Sequence, residues 1–365
     1  MKKRRILLAS VLKPVDEPRM YERMGQSLAV QGDEVFIIGF PPSAGRNSEG
    51  IHFLPHQRFN RISWARVFVR FIILKRIFSL MPDILIVSSH ELLGVSIIYR
   101  VLTGRKTVYD IRENYYLNIR YTTVFPKAFR LLIASLVRLK EVASSVFISR
   151  FILAEKCFVQ EMRFVYNKYD VIENKCRLPN SFKRSPNPGS IQLIFTGTIA
   201  ESTGVFQAIA LAKKLHARES KIKLNIIGYC AQSSVLRKIE SEISSSPFIT
   251  LTGGAEVVSH QVIMDAIASA GFGIIYYPTS PHTENKTPTK LYEYLACQLP
   301  ILLQDHKPWV EMCQTYPAAI ALDFERFDPT SIIKQMQELR FYSVQSTDAT
   351  WQHEEAKLIA CLNSI

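Results

Sequence analysis

IQLIFTGTIAESTGVFQAIALAKKL, residues 191–215, passes from an apolar, β-branched run through a glycine-bounded loop into a helical segment. A short apolar run closed by glycine reads as a buried strand, and the residues near 204–217 read as the helix that follows it. The unit then repeats. The strands IQLIFTG (191–197), KLNIIGY (223–229), FITLTGG (248–254), FGIIYYP (272–278), PILLQ (300–304) and AIALDF (319–324) alternate with helical segments near 204–217, 231–244, 259–270, 288–298, 307–314 and 329–341. The first half shows a looser series. RRILLAS (4–10), EVFIIGF (34–40), DILIVSS (83–89) and KTVYDI (106–111) read as strands, with a helix over 17–32 ended by Gly32.

Short apolar runs alternating with helices imply parallel sheets covered on both faces. The expected fold class is therefore α/β, with two doubly wound (Rossmann-like) parallel-sheet domains facing a central cleft. NKCRLPNSFKRSPNPGS (174–190), rich in Pro, Asn and Ser, has the composition of a linker. The domains are expected at 1–183 and 184–345, with 346–365 a C-terminal helix packing back toward the first. Ligands of such sheets lie beyond the carboxyl ends of the strands, which makes the cleft the expected site.

Composition narrows the class. The 365 residues are 47% hydrophobic and 21% charged, as in a globular protein with room for two cores. No stretch approaches the roughly 20 apolar residues of a membrane span. The apolar run Ile6–Leu12 is closed by Lys13 without a small-residue cleavage site, so it reads as a first strand rather than a signal peptide. Six cysteines without a C-x-x-C pair suggest apolar filler in a reducing cytoplasm, not disulfides or structural zinc. Charge is uneven. Residues 1–190 hold 31 Lys and Arg against 15 Asp and Glu, a balance of +16; the remainder hold 14 against 17, or −3. A basic first half points to a polyanionic partner.

ENKTPTKLYEYLACQLPILLQD (284–305) carries the sharpest chemistry. Thr287 reads as an N-cap and Pro288 as the first helical residue. Lys290 then falls in the first turn, where a cation opposes the helix dipole. A bound phosphate would justify that placement. Glu293, three residues on, shares its face and would accept hydrogen bonds from a ribose diol. The plainer alternative is an intrahelical Lys–Glu pair on a solvated surface, with Leu291 and Leu295 facing the sheet. The loop 197–204 fits neither G-x-G-x-x-G nor the P-loop, which argues against a dinucleotide or ATPase fingerprint, although its N–H groups would suit an anion.

PTKLYEYLACQLPILL resembles the P-x-K-x-x-E-Y-x-A-x-G-x-P motif of GT-B-fold glycosyltransferases of the family 4-like group. FTGTIAESTGVFQAI (195–209) is similar to the first turn of that group's nucleotide-binding domain, and YDIRENY (109–115) to its Y-D-x-H-E-N-Y segment. The resemblance implies a nucleotide-sugar donor, with Glu293 at the ribose and Lys290 at the diphosphate. Asn285, Thr289, Gly197, Thr198, Gly204, Gly228 and Tyr229 are the further donor-side candidates. Asn285 stands where the E-x7-E pattern has its earlier glutamate. In the loop, Thr198 and Thr203 replace the usual diphosphate-binding Arg and Lys. Arg112 stands where the family often has His and is a second candidate cation after Lys290; Lys290, Arg112 and Glu113 are the catalytic candidates. His90 and Asp110 are acceptor-side candidates, with capping at strand ends as the plainer explanation. The resemblance implies retention of anomeric configuration, and it calls for no metal or cofactor.

WARVFVRFIILKRIFSLM (64–81) and FPKAFRLLIASLVRLKEV (125–142) interleave Lys and Arg with large apolar residues. Both read as basic amphipathic helices suited to an anionic membrane, or as surface helices whose apolar stripes face their own sheet. No nucleic-acid-binding pattern is visible. The expected function is transfer of a sugar from a nucleotide-diphosphate donor to a lipid-linked glycan acceptor in surface polysaccharide synthesis, in the cytoplasm at the inner face of the membrane. The rivals are a nucleotide-sugar epimerase and a non-catalytic assembly partner.

Overall fold

The computed structural model describes residues 3–365 apart from 43–48, 61–62, 123–124, 180, 187–188, 190 and 282. The chain divides into two compact units. One comprises Met1–Asn174, Ser280–Lys286 and Trp351–Ile365; the other comprises Lys175–Thr279 and Thr287–Thr350.

The first unit holds a seven-stranded parallel sheet. Its strands are β1 (Arg5–Pro14), β2 (Glu34–Phe40), β3 (Ile51–Pro55), β4 (Ile84–Val87), β5 (Lys106–Ile111), β6 (Arg150–Leu153) and β7 (Tyr169–Val171), in the order 3-2-1-4-5-6-7. The order reverses between β1 and β4, the usual place for a site in such a sheet. The inner strands are buried on both faces. Leu7, Ala9, Leu85 and Val87 point into one core, and Ile6, Leu8, Ile84 and Ile86 into the other. The second core is closed by the helix Trp351–Asn363, whose Trp351 Nε1 donates to Ser27 Oγ at 2.8 Å. The Glu354 carboxylate accepts from the Glu173 N–H at 2.9 Å.

The second unit holds six parallel strands. These are β8 (Ile191–Thr198), β9 (Ile222–Tyr229), β10 (Ile249–Gly254), β11 (Phe272–Ile275), β12 (Ile301–Gln304) and β13 (Ala319–Leu322), in the order 10-9-8-11-12-13. The chain reverses direction across the sheet between β8 and β11. The two α/β sheets agree with the expected fold class.

Three local expectations need correction. β3, β6 and β7 escape the sequence pattern because they are short and, in β3 and β7, only partly buried. The helix expected over 17–32 is a π-helical turn, Arg19–Gly25, followed by Gln26–Val30. The helix after 287 begins at Thr289, so Pro288, with φ −58° and ψ 135°, takes the capping position given to Thr287. An extended ψ at Pro288 is what a residue just outside a helix adopts.

Candidate active site

In the second unit the site forms where β8 and β9 end. Gly228 closes on Gly197 so tightly that a Cβ on Gly228 would stand 1.7 Å from the Gly197 carbonyl oxygen. Gly197 itself has φ +88°, a conformation that side chains disfavour, and turns the chain out of β8. Beyond it the loop is stapled by Thr203. Its hydroxyl donates to the carbonyl oxygen of Thr198 at 2.8 Å and accepts the Ala200 N–H at 3.1 Å. Thr198 is exposed. Gly204, buried against Tyr276, leads into the helix Val205–His216.

Lys290 reaches this floor from the helix Thr289–Ala296. Its side chain runs over Gly197, with Cε 3.2 Å from where a Gly197 Cβ would stand. The ammonium lies 3.9 Å above the Phe195 ring centre and 5.8 Å from that of Tyr277. Lys290 is 7% exposed, and among the described residues no carboxylate forms an ion pair with it. Burial pushes its pKa down to about 7, with the Glu293 charge opposing that shift. A cation in the first turn of a helix, buried and facing aromatic rings, is poorly compensated by the protein alone. An anionic ligand would compensate it.

Glu293 is also buried, and its Oε1 lies 3.5 Å from His260 Nε2. His260 opens the helix His260–Ser269, and the sequence reading missed it, as it did Phe195. His260 belongs to no motif, Phe195 only opens the 195–209 stretch with no role assigned to it, and only the fold brings both to the site. The solvated Lys–Glu surface pair, left open by the sequence, is excluded because both residues are buried. Thr289 is half-buried, and Tyr229 at the end of β9 is 41% exposed. Asn285 is exposed within 280–286, the segment that belongs to the first unit.

In the first unit, Asp110 and Arg112 sit in a buried ion network at the ends of β1, β4 and β5. Asp110 is bound by Arg19 at 2.7 Å and by Arg112 at 2.8 Å. Arg112 also donates to Glu17 at 2.9 Å and to the Ser88 hydroxyl at 3.0 Å. Burial alone would lower the pKa of Arg112, but Glu17 and Asp110 outweigh it and hold the guanidinium charged. Two arginines face two carboxylates, so the charge of Arg112 is already neutralised. Glu17 carried no sequence signal. Glu113 is exposed and accepts from Asn118 at 2.7 Å. His90 packs edge-on to Tyr115, and burial with nearby Lys140, Arg66 and Arg70 lowers its pKa to about 4. It is neutral at physiological pH.

No protein-family model matches the chain, and no curated protein matches it. Solved structures do. A sucrose-phosphate synthase from Thermosynechococcus elongatus aligns over 99% of both chains with a TM-score of 0.71 at 11% identity. HepE of Anabaena, solved with UDP-glucose, aligns over 99% of this chain and 100% of its own with a TM-score of 0.67 at 12% identity. A UDP-forming α,α-trehalose-phosphate synthase from Burkholderia vietnamiensis aligns over the whole of both with a TM-score of 0.66 at 10% identity. At these identities the likeness establishes architecture, and it runs the full length of each chain: the protein has the GT-B glycosyltransferase fold.

Proposed function

We propose that this chain is a glycosyltransferase that takes a sugar from a nucleotide-diphosphate donor and passes it to a lipid-linked glycan, with retention of configuration. The buried ammonium of Lys290, held above the glycine floor of β8 and β9 without a paired carboxylate among the described residues, carries the proposal. Its charge would meet the donor diphosphate, and Glu293 would accept hydrogen bonds from the ribose hydroxyls. As the bond from the anomeric carbon to the diphosphate breaks, negative charge gathers on the leaving group, and the acceptor hydroxyl, bonding to that carbon, gives its proton to the departing diphosphate oxygen. Lys290, the 197–204 loop and the start of the helix Thr289–Ala296 are placed to stabilise it. The fold's neighbours give context: HepE binds UDP-glucose, and a bisubstrate study of a trehalose-6-phosphate synthase concerns transfer with retention.

The lipid-linked acceptor and the role in surface polysaccharide synthesis rest on the basic first half and the resemblance. So does attachment to the inner face of the membrane. No helix among the described residues is long and apolar enough to cross a membrane, so attachment would be peripheral. Thermal-shift titration with UDP-, GDP- and ADP-linked sugars tests the donor site. One donor should stabilise the wild type and fail on Lys290→Ala and Glu293→Ala. Indifference of the wild type to all of them would favour a non-catalytic assembly role.

A further inference from the structure

Three neighbouring helices of the first unit leave large apolar side chains in solvent. Ala65–Leu80 buries Val69, Ile73 and Ile77 against its sheet. The same helix leaves Phe68 62% and Phe71 65% exposed. Leu93–Thr103, which packs against it, exposes Ile98, Val101 and Leu102. Lys127–Ser144, the next neighbour, buries only Ala134, Glu141 and Ser144 and exposes Leu132, Leu136 and Leu139. The apolar stripes therefore do not all face the sheet, the plainer expectation for these helices. Exposed apolar surface on this scale marks an interaction site.

Within this surface lies a cavity of about 370 Å³ between Ala65–Leu80, Lys127–Ser144 and the turn His90–Leu92. Arg66, Arg70, His90, Glu91, Leu136 and Lys140 line it. Arg66 is paired with Glu91. Among the described residues neither Arg70 nor Lys140 has a carboxylate partner. Arg70 Nε reaches only the Val67 carbonyl at 3.4 Å, and Lys140 Nζ the Glu91 carbonyl at 3.5 Å. Burial, and then the charge of Arg70, lowers the pKa of Lys140, with the charges of Glu91 and Glu141 opposing the shift, and His90 stays neutral. The cavity thus holds three cations, Arg66, Arg70 and Lys140, against the single lining carboxylate of Glu91, beside apolar Val67, Ile133 and Leu136.

We propose that this cavity seats the phosphate of an anionic membrane lipid, with Arg70 and Lys140 holding the headgroup between the apolar lining of Val67, Ile133 and Leu136, and with the exposed Phe68 and Phe71 of the same helix entering the acyl boundary. An amphiphile alone matches both parts, because a soluble anion leaves the apolar side chains in water. A second copy of the chain would bring the same cations against themselves across a two-fold axis. The inference deepens the membrane part of the proposed function and rests on it, independently of the donor site.

Co-sedimentation with phosphatidylcholine vesicles, with and without phosphatidic acid, at about 0.15 M salt tests it. Phosphatidic acid should recruit the wild type. Arg70→Gln with Lys140→Gln should weaken recruitment about tenfold or more, as should Phe71→Ser with Leu136→Ser. Lys75→Gln, an exposed charge outside the cavity, should cost far less. Circular dichroism and the nucleotide thermal shift confirm that each variant is folded, and a failed nucleotide response with intact recruitment would remove the donor reading alone. Equal losses from Lys75→Gln and Arg70→Gln would overturn the cavity in favour of diffuse surface charge. Equal recruitment by vesicles carrying oleate would overturn phosphate recognition. Calorimetric binding of glycerol 1-phosphate that survives Phe71→Ser with Leu136→Ser would overturn the lipid in favour of a soluble phosphate ester.

Discussion

The ammonium of Lys290 rests 3.9 Å above the ring of Phe195, a side chain contributed by β8 rather than by its own helix. Cation–π attraction of this kind offsets only part of the cost of burying a charge. Lys290→Met should therefore raise the stability of the free protein by about 1–3 kcal/mol, the scale of an unsatisfied buried polar group. The same change should abolish donor binding. Urea unfolding reads the first effect and thermal shift the second. A loss of stability would mean that Lys290 serves the fold.

Protonation of Lys290 links binding to pH. Its pKa is about 7 in the folded protein, against 10.5 for a lysine in water. Between those values the unfolded chain binds the extra proton, so the contribution of Lys290 makes stability rise with pH across that window. A diphosphate beside the ammonium favours the charged form. Binding near pH 8 should then take up close to one proton, measured as a dependence of calorimetric heat on buffer ionisation enthalpy. Donor binding by the wild type without proton uptake would show that this lysine does not meet the anion.

Gly228→Ala should be among the most damaging single-methyl changes in the second unit, because the new Cβ overlaps the Gly197 carbonyl. A loss of about 2–3 kcal/mol or more is expected in denaturant unfolding. Gly197→Ala instead meets the flexible end of Lys290 at 3.2 Å, in a backbone conformation of positive φ. It should weaken donor binding along with stability.

Asp110→Asn strips the buried pair Arg19 and Arg112 of their shared carboxylate. Breaking one partner of a buried ion network costs about 3–5 kcal/mol. Burial alone would raise the pKa of Asp110, but Arg19 and Arg112 outweigh it and lower it. Its stabilisation is therefore complete above the ordinary carboxylate range and lost as pH falls through the folded value. Acid unfolding of the wild type should be steeper than that of Asp110→Asn.

Much of the second unit was legible because each strand is a short apolar run closed by Gly, Pro or a polar residue. All six strands and six of its helices fall within a few residues of expectation. The first unit was less so. β3 is a half-exposed edge strand, β7 has three residues, and a π-helical turn has no signature in apolar periodicity. At the site, Lys290 and Glu293 were visible through their spacing on one helix. Their burial was not, because it arises from Phe195, Gly197 and His260, which the chain supplies from other elements. Glu17 was hidden likewise: nothing near it in sequence points to Arg112, 95 residues away.

Thr203 stands where the resembling enzymes carry a loop cation, and here its hydroxyl ties the loop to itself. On the proposed reading, that exchange leaves the enclosed Lys290 as the main positive counterpart of the donor diphosphate. Mobile ions screen charges in open solvent far better than charges behind protein walls. Donor affinity should accordingly be nearly flat with ionic strength, while attachment through the exposed basic face of the first unit should fall steeply. The two halves of the chain would then answer differently to the same change in salt, one of them hardly at all.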